Sequence, residues 1–321
     1  MSDFLRFRIQ RSFYVMLLLM GSCAHAQNAF QVIPLGVKGG SDEGNLSSYA
    51  VAAGGAENYI CLDAGTLHVG IRKAIEANVW QGDVSDILKK NIKGYLISHP
   101  HFDHVSGLVI NSPDDSAKPI YGTSSCLNVL KEKYFSWKNW ANFGNEGEKP
   151  TLNKYTYTIL APGKEHVLQG TSMFATAFTL SHVNPNESAA FLIRHEQNYL
   201  LYLGDTGCDE IEKSDKLKLL WQAVSPLIKS KQLKAIFIEV SFANEQPDHL
   251  LFGHLTPRLL MQELNALSQL GGKDLLRDFP IVVTHMKPGG NREATIQQQL
   301  KDANSLEVKL IFPEQGQRLE F

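Results

Sequence analysis

Apolar runs of strand length recur along the chain, parted by polar turns. They predict strands at 31–37, 47–52, 58–62, 94–98, 118–121, 155–160, 173–181, 189–194, 199–203, 235–239, 281–284 and 308–312. Two of these, 189–194 and 199–203, flank the polar turn His195-Glu196-Gln197-Asn198 and read as a hairpin. Apolar residues at helical spacing predict helices at 69–78, 84–91, 124–134, 215–229, 257–269 and 292–302. Thr256-Pro257 supplies an N-cap and a proline at the first helical position. Many strands with interspersed helices predict an α/β fold of two packed sheets covered by helices. No repeat, low-complexity stretch or linker divides the chain, so one domain is expected over 27–321.

The amino terminus follows a different pattern. Arg6, Arg8 and Arg11 precede an uncharged apolar run at 13–20 and the small-residue site Ala24-His25-Ala26. This is the layout of a secretory signal, with cleavage expected after Ala26 and a periplasmic mature chain. The run is too short to span a bilayer comfortably, so no transmembrane span is expected in the mature chain. Met20-Gly21-Ser22-Cys23 also resembles a lipoprotein box, with Met where Leu is usual. After cleavage Cys61, Cys126 and Cys208 remain, and Cys61 is expected as a buried free thiol.

Composition narrows the function. The 321 residues carry 31 basic and 33 acidic side chains. That balance excludes a broad basic nucleic-acid surface and a polybasic membrane patch. It leaves room for a small anionic substrate held by a local positive centre. Four cysteines exclude a cysteine-rich scaffold.

The chemistry concentrates in His99-Pro100-His101-Phe102-Asp103-His104, directly after the apolar residues Tyr95-Leu96-Ile97. Imidazole and carboxylate groups at this spacing suit zinc and similar divalent ions. Three further strand-like runs end in His182, Asp205 and His285. Together His99, His101, Asp103, His104, His182, Asp205 and His285 supply enough ligands for two metal ions, with Asp205 able to bridge them. Ser98, Ser181 and Thr284 precede three of these ligands and are candidates for orienting them.

The block continues as Val105-Ser106-Gly107-Leu108-Val109-Ile110-Asn111-Ser112-Pro113. With Leu62-Asp63-Ala64-Gly65-Thr66 upstream and Phe252-Gly253-His254-Leu255-Thr256-Pro257 downstream, it resembles the class II cyclic-nucleotide phosphodiesterases of the metallo-β-lactamase superfamily. The one departure in the main block is Phe102, where leucine is usual. The resemblance implies an αββα sandwich of two mixed sheets. It implies one metal on His99, His101, His182 and Asp205, and another on Asp103, His104, Asp205 and His285, with zinc the favoured ion. It implies hydrolysis of 3′,5′-cyclic AMP and related cyclic nucleotides to 5′-monophosphates.

Two divalent ions roughly 3.5–4 Å apart can produce a bridging hydroxide at neutral pH and neutralise charge developing on phosphorus. The alkoxide that leaves needs a proton donor. His254 is the candidate, with Glu239 accepting from its other nitrogen; the pair resembles the Glu–His pair of tRNase Z enzymes. Asp103, His254 and Glu239 are therefore the catalytic candidates. Asn45, Ser47, Ser48 and Thr66 are candidates for touching substrate, with plain loop hydrogen bonding as the alternative. Asp63 is expected either to support the metal loop or simply to make its turn. The aromatic stretch 134–143 is expected as a packed helix face, or else as a lid over the purine. A tRNase Z-like nuclease is the nearest rival, but it would need a basic RNA-binding arm that the chain lacks. A non-catalytic zinc module is the other, and structural zinc sites are typically closed and cysteine-rich. Nothing in the sequence decides between a monomer and a homodimer.

Overall fold

The computed structural model describes residues 28–183, 185–272 and 274–321. The expected signal segment 1–26, with Cys23, lies outside the described residues. The first half of the chain runs β1 (Phe30–Gly36), β2 (Ser48–Ala53), β3 (Tyr59–Leu62), α1 (His68–Glu76), α2 (Val84–Lys90) and β4 (Ile92–Leu96). It continues through α3 (Phe102–Asn111), β5 (Lys118–Gly122), α4 (Ser124–Val129) and β6 (Tyr155–Ile159). The second half opens with β7 (Glu165–Val167), β8 (Phe174–Ser181), β9 (Glu187–His195), β10 (Asn198–Leu203), α5 (Asp209–Glu212) and α6 (Lys216–Lys229). It closes with β11 (Leu233–Glu239), α7 (Pro257–Gly271), β12 (Pro280–Thr284), α8 (Arg292–Ala303), β13 (Lys309–Ile311) and β14 (Leu319–Glu320).

The strands form two mixed seven-stranded sheets, ordered β14-β1-β2-β3-β4-β5-β6 and β13-β12-β11-β10-β9-β8-β7. Their central strands are buried on both faces, which is why they read as continuous apolar runs rather than alternating ones. The period of two is still visible in where the side chains go. In β10, Leu200 and Tyr202 enter the core between the sheets, while Leu201 and Leu203 face the core under α6 and α7. In β2, Tyr49 and Val51 point to the central core, and Ala50 and Ala52 to the core under the first helices. Three apolar layers thus hold four structural layers together, helix–sheet–sheet–helix, as expected.

The expected strands are all present; β7, β14, the helix α3 and the short α5 were not among the predicted elements. The predicted helix at 124–134 is α4 followed by a π-type turn at Leu130–Tyr134. The aromatic stretch after it is not a helix face. Phe135 is buried, while Trp137 and Trp140 stand partly in solvent on a bend-rich segment. His195, read as part of the polar turn, is the last residue of β9. Cys61, Cys126 and Cys208 are all buried and free, and burial pushes the Cys61 thiol up to about 12.

Candidate metal centre

β10, β11 and β12 are neighbours and parallel, so their carboxyl ends emerge side by side. They deliver Asp205, Glu239 and His285. In the other sheet β3 and β4 are parallel and deliver Asp63 and the pair Ser98-His99. β8 ends beside His182. The loop after β4 is shorter than the sequence suggests, because α3 starts at Phe102 with His101 as its N-cap. Asp103 and His104 therefore occupy the first helical turn, where unpaired N–H groups and the helix dipole favour a carboxylate.

Close backbone packing makes room for the ligands. A methyl group at Gly39 would lie 2.2 Å from the His285 ring, and one at Gly65 would lie 2.0 Å from the Asp103 carbonyl oxygen. Only glycine fits either place.

His99, His104, His182 and His285 are tied from behind, and the ties set which nitrogen faces the centre. His182 Nδ1 donates to the Gly253 carbonyl at 2.8 Å, and His104 Nδ1 donates to Asp63 Oδ2 at 2.8 Å. Ser98 Oγ gives its proton to Asp63 Oδ2 at 2.8 Å, so it accepts from His99 Nδ1 at 3.0 Å. Ser241 Oγ donates to Glu239 Oε2 at 2.7 Å and accepts from His285 Nδ1 at 2.9 Å. In neutral form, all four rings then present a bare Nε2 lone pair inward. His104 Nε2 and His285 Nε2 meet at 3.1 Å, and His182 Nε2 meets His101 Nδ1 at 3.2 Å. His99 Nε2 is buried with no hydrogen-bond partner. Asp205 Oδ2 stands among them, 3.3 Å from His104 and His285, 3.7 Å from His99 and 3.9 Å from His182.

Lone pairs aimed at lone pairs around a carboxylate need a cation between them. Two donor sets that share no residue meet that need, His99, His101, His182 and Asp205, and Asp103, His104 and His285, each with ligand atoms within 4.8 Å of one another; a third set, Asp205, His254 and His285, overlaps both. The residues present therefore fit divalent metal.

The electrostatics agree. Burial keeps the His99 and His182 imidazoles below their usual range, and burial followed by His182 pushes His101 down to about 4. Burial opposes ionisation of Asp205, but His285 and His104 outweigh it and hold that carboxyl well below the usual range. His104 moves the other way. Burial opposes its charge, yet Asp205, Asp63 and Asp103 hold a proton on it well above the ordinary imidazole range. A metal ion would take the place of that proton.

Beside this cluster, His254 Nδ1 donates to Glu239 Oε1 at 2.7 Å. The His254 ring stacks on His285 at 5.3 Å and 23°. Burial opposes charge on His254, but Glu239 and then Asp205 raise its pKa. Glu239 is itself fixed by the Thr206 N–H at 3.0 Å and by Ser241.

The other candidates divide. Asp63 takes up the supporting position: besides His104 and Ser98 it accepts from the Tyr202 hydroxyl at 2.7 Å. Ser98 orients His99, but Ser181 donates to Glu212 at 2.9 Å instead of orienting its neighbour. Ser47 and Ser48 are buried and spend their hydroxyls on Tyr202 and the Asp63 carbonyl. Asn45 Oδ1 accepts from the Val37 N–H, and Thr66 Oγ1 donates to the Glu43 carbonyl. All four thus make hydrogen bonds within the fold. The sequence reading missed the orienting role of Ser241, and it missed Tyr202 and the Gly40 N–H, which donates to Asp103 Oδ2 at 2.8 Å. None has a local signal: a serine or tyrosine in an apolar run looks like any core residue.

Two layers of sheet with histidines and aspartates at their strand ends define a metallo-β-lactamase-fold protein with a metal-binding cluster. The metallo-β-lactamase fold protein YhfI of Bacillus subtilis matches with a TM-score of 0.63 at 14% identity, over 92% of this chain and all of that one. Unliganded yeast PDE1 matches with a TM-score of 0.81 at 21% identity, over 92% of this chain and 100% of that one. Residues 28–316 match the model of the class-II cAMP phosphodiesterases. A 3′,5′-cyclic-nucleotide phosphodiesterase of Aliivibrio fischeri is 41% identical over 307 residues, covering 91% of this chain and 93% of that protein. The chain belongs to the class-II cyclic-nucleotide phosphodiesterases.

Proposed function

We propose that this chain hydrolyses 3′,5′-cyclic nucleotides to nucleoside 5′-monophosphates with two divalent ions, zinc foremost, held by the seven ligands named above. The observation that carries the reading is the position of Asp205 Oδ2, within 3.9 Å of ring nitrogens from five histidines, the four ligands His99, His104, His182 and His285 and the neighbouring His254. When bound, divalent ions supply charge neutralisation at phosphorus and an acidified water at neutral pH. His99, His101 and His182 on one side, and Asp103, His104 and His285 on the other, would hold the ions, with Asp205 placed to serve both sets. The hydroxyl of water bonds to phosphorus and its other proton passes to solvent, as the bond to the ribose 3′-oxygen breaks. His254 delivers a proton to that oxygen, and Glu239 keeps the imidazole turned and proton-rich. The carboxylate–imidazole pair at 2.7 Å supports this role.

The test is turnover of purified chain 27–321 with cAMP and cGMP, before and after chelation. Formation of the 5′-monophosphate that stops on chelation and returns with added zinc is expected. Full activity in a thoroughly metal-free preparation would sink the reading.

We further propose export, on the strength of the basic, apolar and Ala24-His25-Ala26 pattern. Mass spectrometry of the native envelope fraction should find a mature start at Gln27. A lipid on Cys23 would replace the soluble periplasmic reading, and an intact Met1 would end it.

A further inference from the structure

Three large apolar side chains stand in water around the histidine–aspartate cluster. Phe102 is 64% exposed, Val183 42% and Phe252 60%. Each lies next to a residue that builds the site. Phe102 sits between His101 and Asp103, and Val183 follows His182. Phe252 precedes Gly253, whose carbonyl accepts from His182 Nδ1. The last two share one patch of backbone: a methyl group at Gly253 would lie 2.5 Å from the Val183 nitrogen. Across from them, the 3.2 Å approach of His101 to His182 brings the Phe102 turn to the same place. Each is thus one residue away from a group that meets at the His101–His182 pair.

Two of them are also strained. Val183 has φ 57° and Phe252 φ 52°, the left-handed region that glycine and asparagine enter most easily and that a β-branched residue almost never adopts. Exposed there, neither side chain recovers the cost by burial. Strain kept by exposed apolar residues beside a reactive centre points to a ligand that covers them. Phe102 is braced for contact as well. Its ring lies 6.1 Å from Tyr134, tilted by 38°, and the Tyr134 hydroxyl donates to the Pro100 carbonyl at 2.8 Å.

A cyclic nucleotide has two unlike ends, a charged phosphodiester and a flat aromatic base. The cluster suits the first, and the second calls for apolar surface beside it. We propose that Phe252, Val183 and Phe102 form the rim that holds the nucleobase while the phosphate occupies the histidine–aspartate cluster. This rests on the proposed cyclic-nucleotide hydrolysis. Stacking and apolar contact use the face of a base and ignore its edge, so the rim accepts adenine and guanine alike.

The experiment compares cAMP, cGMP and the base-free 1-O-methylribose 3′,5′-cyclic phosphate on the metal-loaded wild type, Phe252→Gly, Phe252→Tyr and Val183→Gly. Glycine removes the side chain and relieves the backbone, so the melting temperature should hold or rise. In Phe252→Gly, KM for both nucleotides should rise about 10- to 100-fold, the usual worth of a base–aromatic stack, with kcat little changed. The preference for nucleotide over the base-free ester should fall by the same factor, and Phe252→Tyr should restore it. Val183→Gly should act in the same direction. An equal loss on all three esters, or no loss on any, would overturn the rim and leave hydrolysis intact. A wild type that cleaves none of the three esters would overturn the hydrolysis itself, and the rim with it.

Discussion

Asp63 and His104 are joined by a hydrogen bond of 2.8 Å, although 41 positions separate them in the chain. The same carboxylate takes donors from Ser98 and Tyr202, so one buried side chain aims His104 on α3 directly and His99 through Ser98, and ties the first sheet to the second through Tyr202. Asp63 has φ 55°, which asparagine tolerates, so Asp63→Asn tests the charge without breaking the turn. Metal affinity should fall about 10- to 100-fold, the usual effect of losing a partner behind a metal-bound histidine. Titration of the apo protein with zinc against a competing chelator measures it; an unchanged affinity would make Asp63 a turn residue only.

Asp205→Ala should remove the carboxylate that both donor sets face. Bound metal, counted by elemental analysis of dialysed protein, should drop together with activity. Retention of about two ions per chain with activity lost would deny Asp205 the bridging role.

His254→Ala should lower kcat for cAMP by about 10²- to 10⁴-fold, the usual contribution of a positioned proton donor. Metal content should stay the same, and Glu239→Gln should cost less because Glu239 only orients the ring. A p-nitrophenyl phosphodiester, whose leaving group needs little protonation, should suffer a smaller defect. Equal losses on both substrates would assign His254 to binding instead.

The metal-free chain should lose stability as pH falls from about 6.5 toward 4. An unfolded histidine takes its proton near 6.5, whereas folded His101 resists until about 4, and burial depresses His99 and His182 as well. Within that window the unfolded chain binds more protons, so acid favours unfolding. His104 and His254 have raised values; their contributions are complete below 6.5 and are lost only at higher pH. Melting temperatures of chelated protein across the range check this. A flat profile from 6.5 to 4 would mean that these rings are already protonated in the fold.

The strands along the chain and the seven candidate groups that the fold brings together were legible because each depends on local pattern. A strand buried on both faces must be a continuous apolar run, and a polar group closing such a run must leave the core at its end. His182, Asp205 and His285 announce themselves that way, and the dense motif at 99–104 needs no fold to show its ligand chemistry. The start of α3 was not legible, since the ligand motif breaks the helical apolar period until Val105. Nor was the state of each imidazole. Which nitrogen faces the centre depends on Gly253, Asp63, Ser98 and Ser241 behind the rings, and Asp63 reaches partners 35, 41 and 139 positions away. Sequence spacing carries no trace of such pairings, because a hydrogen bond is a relation between points in space. The chain by itself determined which groups are available for metal chemistry; only the packing of two sheets decided which way each one points.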